Sequence, residues 1–272
     1  MRIQLFRVPL GTLLLRLAAG TILLFIMLPL LSVLWVSVFD DQVIAFPPSG
    51  YSFRWFHAAW MRPEFRSGFL TSIWLAVVAA CGSLLLGVPA ALVLARANFR
   101  GREAVRTVLL APLMVPGIVA GSAVFIFFIR VEIDTGVQIA GTFVGLAIAH
   151  VVLATPWTVR FVTASLVGMD RSIEEAATSL GASPFTVLRR VTLPIIRPAV
   201  VASAMLSFIV SFIDLEKSLF LVGPGQTTLP IAIIGYLEWS LDPTIAAVSA
   251  VQIAVIMIGL AVINYYVRLT SI

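Results

Sequence analysis

Six apolar stretches recur along this chain, each long enough for the roughly 20-residue helix that crosses a bilayer. They cover 17–38, 69–94, 108–129, 139–167, 199–222 and 244–267. Inside lipid no water is present to satisfy backbone N–H and C=O groups, so runs of this length fold as helices. The 272 residues leave only short loops between them. That excludes a large soluble domain and a disordered chain. Composition agrees: 60% of the residues are hydrophobic and 11% charged, against about a quarter charged in soluble domains. The expectation is an all-α polytopic membrane protein, six transmembrane helices in a single domain over 1–272. Arg2, Arg7 and Arg16 imitate the basic start of a signal peptide. The apolar run behind them is too long for one and no small-residue cleavage site follows, so it reads as a retained anchor.

Charge orients the spans. The N-terminus, 95–107, 168–198 and the C-terminus together carry twelve arginines against four acids, net +8. The opposite loops carry four arginines against seven acids, net −3. Arginine excess marks the cytoplasmic side, so both termini and the loop 168–198 are expected there. The loops 39–66 and 223–243 are expected outside. The formal charge of +5 is thus a topology signal. No basic stripe interleaved with aromatics points to nucleic acid. In the first outer loop, Tyr51, Phe53, Trp55, Phe56 and Trp60 suit a segment lying at headgroup level. In the second, the apolar 229–237 is too short to span and reads as a short outer or re-entrant helix.

Several chemistries are excluded. The lone lysine, Lys217, precedes a serine but follows Ile213-Asp214-Leu215-Glu216, with no glycine-rich turn. The chain therefore carries no phosphate-binding loop of the Walker type. One cysteine, Cys81, excludes an internal disulfide. His57 and His150 have no partners at metal-ligand spacing, and an intramembrane histidine more often hydrogen-bonds than binds metal. No nucleophile–base–acid set is placed for catalysis, so the chain is read as a non-enzyme with no cofactor of its own.

The loop 168–198 holds the most information. Ser172 and Glu175 are spaced as a capping box, and Gly181 suits the left-handed residue that ends a helix. Ser183-Pro184 reads as an N-cap and first-turn proline of a second helix, and Pro194 and Pro198 mark where that helix stops or kinks. Ala176 and Ala177 give the first helix a small-residue face that a partner can approach closely.

Glu175-Ala176-Ala177, three residues, Gly181, nine residues, then Val191-Thr192-Leu193-Pro194 resembles the EAA loop of ABC-importer permeases, with valine in place of the family's isoleucine. Ala111-Pro112-Leu113-Met114-Val115-Pro116-Gly117, the stretch His150 to Trp157, Gly223-Pro224 through Thr227-Thr228-Leu229-Pro230, and Asp242-Pro243 resemble the spermidine/putrescine-type branch, in particular its second permease subunit. The resemblance implies a type I importer fold in a bacterial inner membrane. It implies a homologous second permease subunit as heterodimeric partner, two ATP-binding subunits that hold ATP and magnesium, and an extracytoplasmic substrate-binding protein. By match to the motif, Glu174, Glu175, Ala176, Ala177 and Gly181 are the docking residues for the ATP-binding subunit, flanked by Arg189 and Arg190. The implied solute is a polyamine or related cationic amine. Import of a phosphonate, iron or another small solute by the same machinery is the alternative, and an ion-coupled secondary carrier a more distant one.

Asp214, Glu216 and Lys217 fall in the fifth apolar run, where charges are costly and face a partner, a cavity or water. Asp214 and Lys217, three apart, share a helix face and can neutralise each other. Glu216 or Asp214 could line a cation pathway, with Trp157 as a π contact. Equally, the group could be a salt-bridged kink or a subunit contact. Lys217 places positive charge where a polycation would pass. The pairs Gly117/Gly121 and Gly141/Gly145 read as close helix-packing motifs.

Overall fold

Apolar runs become helices where the hydropathy places them, but two of the six are broken. The structure is a computed structural model and describes residues 10–270; Arg2 and Arg7 lie outside the described residues. In chain order the helices are α1 (Leu10–Val36), α2 (Arg54–Met61), α3 (Pro63–Arg96), α4 (Arg102–Leu110), α5 (Gly117–Thr135), α6 (Phe143–Gly168), α7 (Ser172–Ser179) and α8 (Pro184–Val187). They continue with α9 (Leu193–Phe212), α10 (Ser218–Leu221), α11 (Leu229–Leu237) and α12 (Thr244–Thr270). Among the described residues, α1, α3, α6, α8 through α9, and α12 are each long and apolar enough to cross a bilayer. The protein is therefore a multi-pass membrane protein.

The third expected span is not one helix. α4 and α5 meet at a bend of 106°, joined by a 3₁₀ turn over Ala111–Leu113. Pro112 sits in that turn and Pro116 immediately before α5, in an extended conformation with ψ 137°. A proline contributes no N–H and disfavours helix in the residue before it, so two prolines four apart stop one helix and start another. The fifth expected span also ends early. α9 closes at Phe212 and the chain resumes helix only at Ser218, so Asp214, Glu216 and Lys217 occupy a break rather than a helix face.

Conversely, Pro194 and Pro198 neither stop nor break the helix that begins at α8. A π-helical segment, Leu188–Thr192, joins α8 to α9, and Pro198 lies inside α9. The wider turn, in which the Leu193 N–H donates to the Leu188 carbonyl, shifts the bonding register just before Pro194, which has no N–H to offer.

The chain falls into two units. One contains residues up to Met61 with Trp239–Val251, the other Arg62–Glu238 with Gln252 onward. In the first, Phe39 and Tyr51 pair as an isolated antiparallel bridge. Trp35, Phe39 and Phe46 gather edge-on around it, with ring centroids 5.4–5.5 Å apart. The Trp55 indole donates to the Phe39 carbonyl at 2.8 Å.

In the second unit, α3, α6 and α9 pack against one another. Small residues permit this. A methyl at Gly82 would come within 2.5 Å of Val151, and one at Gly87 within 2.7 Å of Thr158. The Thr158 hydroxyl donates to Ser83 at 3.2 Å. Without water to drive helices together, such close approach and interhelical hydrogen bonding supply the association. α11 is seated on α3 through the Leu229 N–H, which donates to the Ser72 hydroxyl at 2.9 Å. Gly141 and Gly145 are not a helix-packing pair. Gly141 has φ +70° and lies against Gly223, and Gly145 is near the start of α6 over the Ile139 carbonyl.

Candidate functional site

Two places concentrate polar chemistry, the α7 loop and the paired breaks in the third and fifth spans.

α7 is capped at both ends, but not by the expected box. Arg171 is already helical, and the Asp170 carboxylate accepts the Ser172 N–H at 2.9 Å. Asp170 therefore performs the cap that the spacing assigned to Ser172. Hydrogen bonds from the Ser172 backbone and then its side chain hold the Asp170 carboxyl below its ordinary value. Glu175, free of a capping duty, lies 3.5 Å from Arg171 on the outer surface. At the other end Gly181 adopts φ +87°. Its N–H donates to the Thr178 carbonyl at 2.9 Å, and the Ala182 N–H to the Ala177 carbonyl at 3.1 Å. This is a Schellman closure, and the left-handed residue in it is why glycine stands there. Ser183 then caps α8, accepting the Thr186 N–H at 3.3 Å, with Pro184 in the first turn as expected.

The two adjacent glutamates point opposite ways. The Glu175 side chain is 69% exposed; that of Glu174 is 15% exposed. Glu174 is turned inward, with one carboxylate oxygen 2.8 Å from Arg96 Nε at the end of α3. The other oxygen accepts the Thr192 hydroxyl at 2.6 Å. Glu174 thus belongs to the seating of α7, not to the outward face on which the motif placed it. Ala176 is exposed beside Glu175, Ala177 is partly covered, and Gly181, Arg189 and Arg190 are exposed. Leu180 and Phe185, 89% and 69% exposed, stand on the same loop. The motif did not single them out. Two large apolar side chains at a well-capped helix end, uncovered by their own chain, were the available signal.

The breaks in the third and fifth spans meet each other. Gly117, the first residue of α5, lies directly under the Glu216 carboxylate, and a methyl at Gly121 would come within 2.8 Å of the Lys217 backbone. The Gly117/Gly121 pair therefore does serve close packing, against an unwound segment instead of a helix. Asp214 is buried, and its carboxylate accepts the Ser218 N–H at 3.0 Å and hydroxyl at 3.1 Å. Lys217 Nζ closes on its other oxygen. His150 of α6 bridges both sides of the break, with Nδ1 2.8 Å from Ser211 and Nε2 3.1 Å from Ser218. His150 is thus the hydrogen-bonding residue expected, and its partners are the serines flanking the charges. Glu216 is exposed and forms no ion pair among the described residues. Trp157, two turns along α6 from His150, is half-buried; no hydrogen bond joins it to this group among the described residues.

Non-helical backbone at membrane depth persists only where protein or a hydrated cavity satisfies it. Here the Asp214 carboxylate serves the Ser218 N–H, and Glu216 and Lys217 bring charge to the same point. Discontinuous helices with charges at the break are a recurring way to build a solute path through a bilayer.

Residues 83–270 match the family model "Binding-protein-dependent transport system inner membrane component". The chain is 33% identical over 202 residues to the putrescine transport system permease protein PotI of Escherichia coli (strain K12), covering 74% of this chain and 72% of that protein. It is 30% identical over 253 residues to the putative 2-aminoethylphosphonate transport system permease protein PhnV of Salmonella paratyphi A, covering 89% and 91%. Its fold is similar to a chain of the bacterial ABC transporter that imports the acidic polysaccharide alginate, with TM-score 0.71 over 93% of this chain and 95% of that one, at 18% identity. With α7 capped and exposed and α5 packed against the break between α9 and α10, and with the fold shared over nearly the whole chain, the match is one of architecture as well as sequence: the chain belongs to the binding-protein-dependent inner membrane components and is a permease subunit of an ABC importer.

Proposed function

We propose that this chain forms half of the translocation pathway of an ATP-driven importer in a bacterial inner membrane, and that its solute is a polyamine or related cationic amine. The observation that carries the coupling half of this reading is the face of α7. Glu175, Ala176 and Leu180 stand outward on a helix closed at both ends, with Phe185, Arg189 and Arg190 beside it. Such a face fits a groove in a cytoplasmic ATP-binding subunit, and the arginine bias puts it on that side. This chain carries no nucleotide site. ATP and magnesium belong to two partner subunits, whose closure moves α7 and turns the cavity between this chain and a homologous, heterodimeric second permease. An extracytoplasmic binding protein delivers the solute.

The amine assignment is supported by similarity to a putrescine permease and by the carboxylate of Glu216 at the break. One observation favours a second reading. The similarity to PhnV supports import of a zwitterion such as an aminophosphonate.

Co-purification tests the coupling. The complex with ATP-binding subunits is expected to be lost with Glu175→Arg and Gly181→Pro. Uptake by the purified chain alone, driven by an ion gradient, would overturn it. Uptake of labelled putrescine against labelled 2-aminoethylphosphonate, in proteoliposomes holding the whole transporter and its binding protein, decides between the solutes.

A further inference from the structure

We infer that the Arg96–Glu174 pair is the link that carries displacement of α7 into the membrane helices, which makes both residues positioning residues for coupling. The inference rests on the docking role proposed for α7. α7 packs against α8 and the π-helical segment. Between it and the end of α3 lies an open groove of about 380 Å³, lined by Leu92 and Arg96 on one side and by Glu174 and Thr178 on the other. Across a groove, apolar packing transmits little force, because a gap of about an ångström already forfeits up to about half of the dispersion well and a groove is wider than that. The contact that bridges it is ionic, Glu174 to Arg96 Nε at 2.8 Å.

The guanidinium does not end there. Its Nη1 donates to the Leu166 carbonyl at 3.1 Å, in the last turn of α6, where helical carbonyls lack intrahelical partners and a cation is favoured. Glu174 in turn receives the Thr192 hydroxyl at 2.6 Å from the π segment at the root of α9. One carboxylate and one guanidinium therefore tie α7 to α3, α6 and α9, the three helices that pack against one another. Arg96 Nε and Nη2 are both buried without a well-aligned hydrogen bond, so the Glu174 contact is a close ion pair and not a two-bonded fork. At 23% and 15% exposure the pair is sheltered from the screening that weakens exposed pairs, yet not sealed in.

The test uses the whole transporter in proteoliposomes and reads solute moved per ATP hydrolysed, a ratio that a merely structural loss of active complex leaves unchanged. Arg96→Met and Glu174→Gln are each expected to lower it by about fivefold or more, the range of ordinary coupling energies. The double variant is expected to fall no further than either single, as partners in one interaction do. Arg96→Lys, which keeps the charge, is expected to recover most of the ratio. Assembled variants with the wild-type ratio overturn the inference, as does failure of Arg96→Lys to assemble, which would make the pair a folding requirement. The docking reading fails separately, if Glu175→Arg leaves capture of the ATP-binding subunits intact.

Discussion

Lys217 and Asp214 close on each other across the break in the fifth span, so the single lysine of the chain is spent on the most buried carboxylate of that segment. The ammonium fills the place beside Asp214 where another cation could pair, and leaves Glu216 as the exposed carboxylate of the break. Lys217→Met is expected to uncover Asp214. The variant loses stability, by no more than about 3 kcal/mol, the low end for breaking a buried pair, because the Ser218 N–H and hydroxyl still serve the carboxylate. In exchange, the uptake ratio of a diamine over a monoamine is expected to rise about tenfold, equivalent to about 1.4 kcal/mol. An unchanged ratio in assembled Lys217→Met transporter rejects this role for the lysine.

Asp170 is expected to control the order of α7. Asp170→Ala removes the acceptor of the Ser172 N–H and speeds amide exchange over 172–176 at neutral pH, whereas Asp170→Asn, which still accepts, does not. The sign of the pH dependence follows from the lowered carboxyl. The charged cap is fully present above the ordinary value of 3.8 and is lost only as pH falls through the lower folded value. Carboxyl titration by NMR is expected to show a midpoint below 3.8 in the wild type. In Ser172→Ala, which lacks the hydroxyl, the midpoint moves part of the way back toward the ordinary value.

How far the sequence reaches is seen in α7 and in the two broken spans. Gly181, Ser183 and Pro184 act locally, through their own backbone conformations, and each does in the structure what its residue type dictates. Ser172 and Asp170 are both competent caps two residues apart, and the choice between them turns on a single helical residue, Arg171. The motif singles out Glu175 but does not say where Glu174 points; Arg96 and Thr192, distant in the chain, hold it inward. The third and fifth apolar runs were legible as membrane segments. Their breaks depend on what packs and hydrogen-bonds around them, and those neighbours (His150 on α6 to Ser211 and Ser218, Gly117 on α5 under Glu216) lie on other helices.

The close approach of α5 to the break makes a graded prediction. Gly121→Ala puts a methyl 2.8 Å from the Lys217 backbone, which cannot swing aside. The expected cost is about 1–3 kcal/mol, as for other overpacked sites, with a marked loss of uptake. Gly117→Ala meets chiefly the end of the Glu216 side chain, which can rotate away. Its thermal stability is expected to stay near wild type, while solute affinity changes because the carboxylate has moved. Equal losses of stability in both variants would show that the two glycines do not differ in this way.

His150 is the residue on which the break in the fifth span most depends. Both ring nitrogens are engaged, one with Ser211 and one with Ser218, and Ser218 also holds Asp214. His150→Leu leaves the Ser211 hydroxyl without this partner in a buried site, at about 1–3 kcal/mol, while the Ser218 hydroxyl keeps Asp214. The variant is expected to lower the melting temperature of the purified complex and to reduce uptake together, since α9 and α10 lose their common partner. His150→Gln, which supplies one donor and one acceptor from a side chain of similar reach, is expected to restore much of the stability. Uptake that recovers in step with stability assigns His150 to holding the break. Uptake that stays low in a fully stable His150→Gln complex assigns the imidazole a direct part in solute passage.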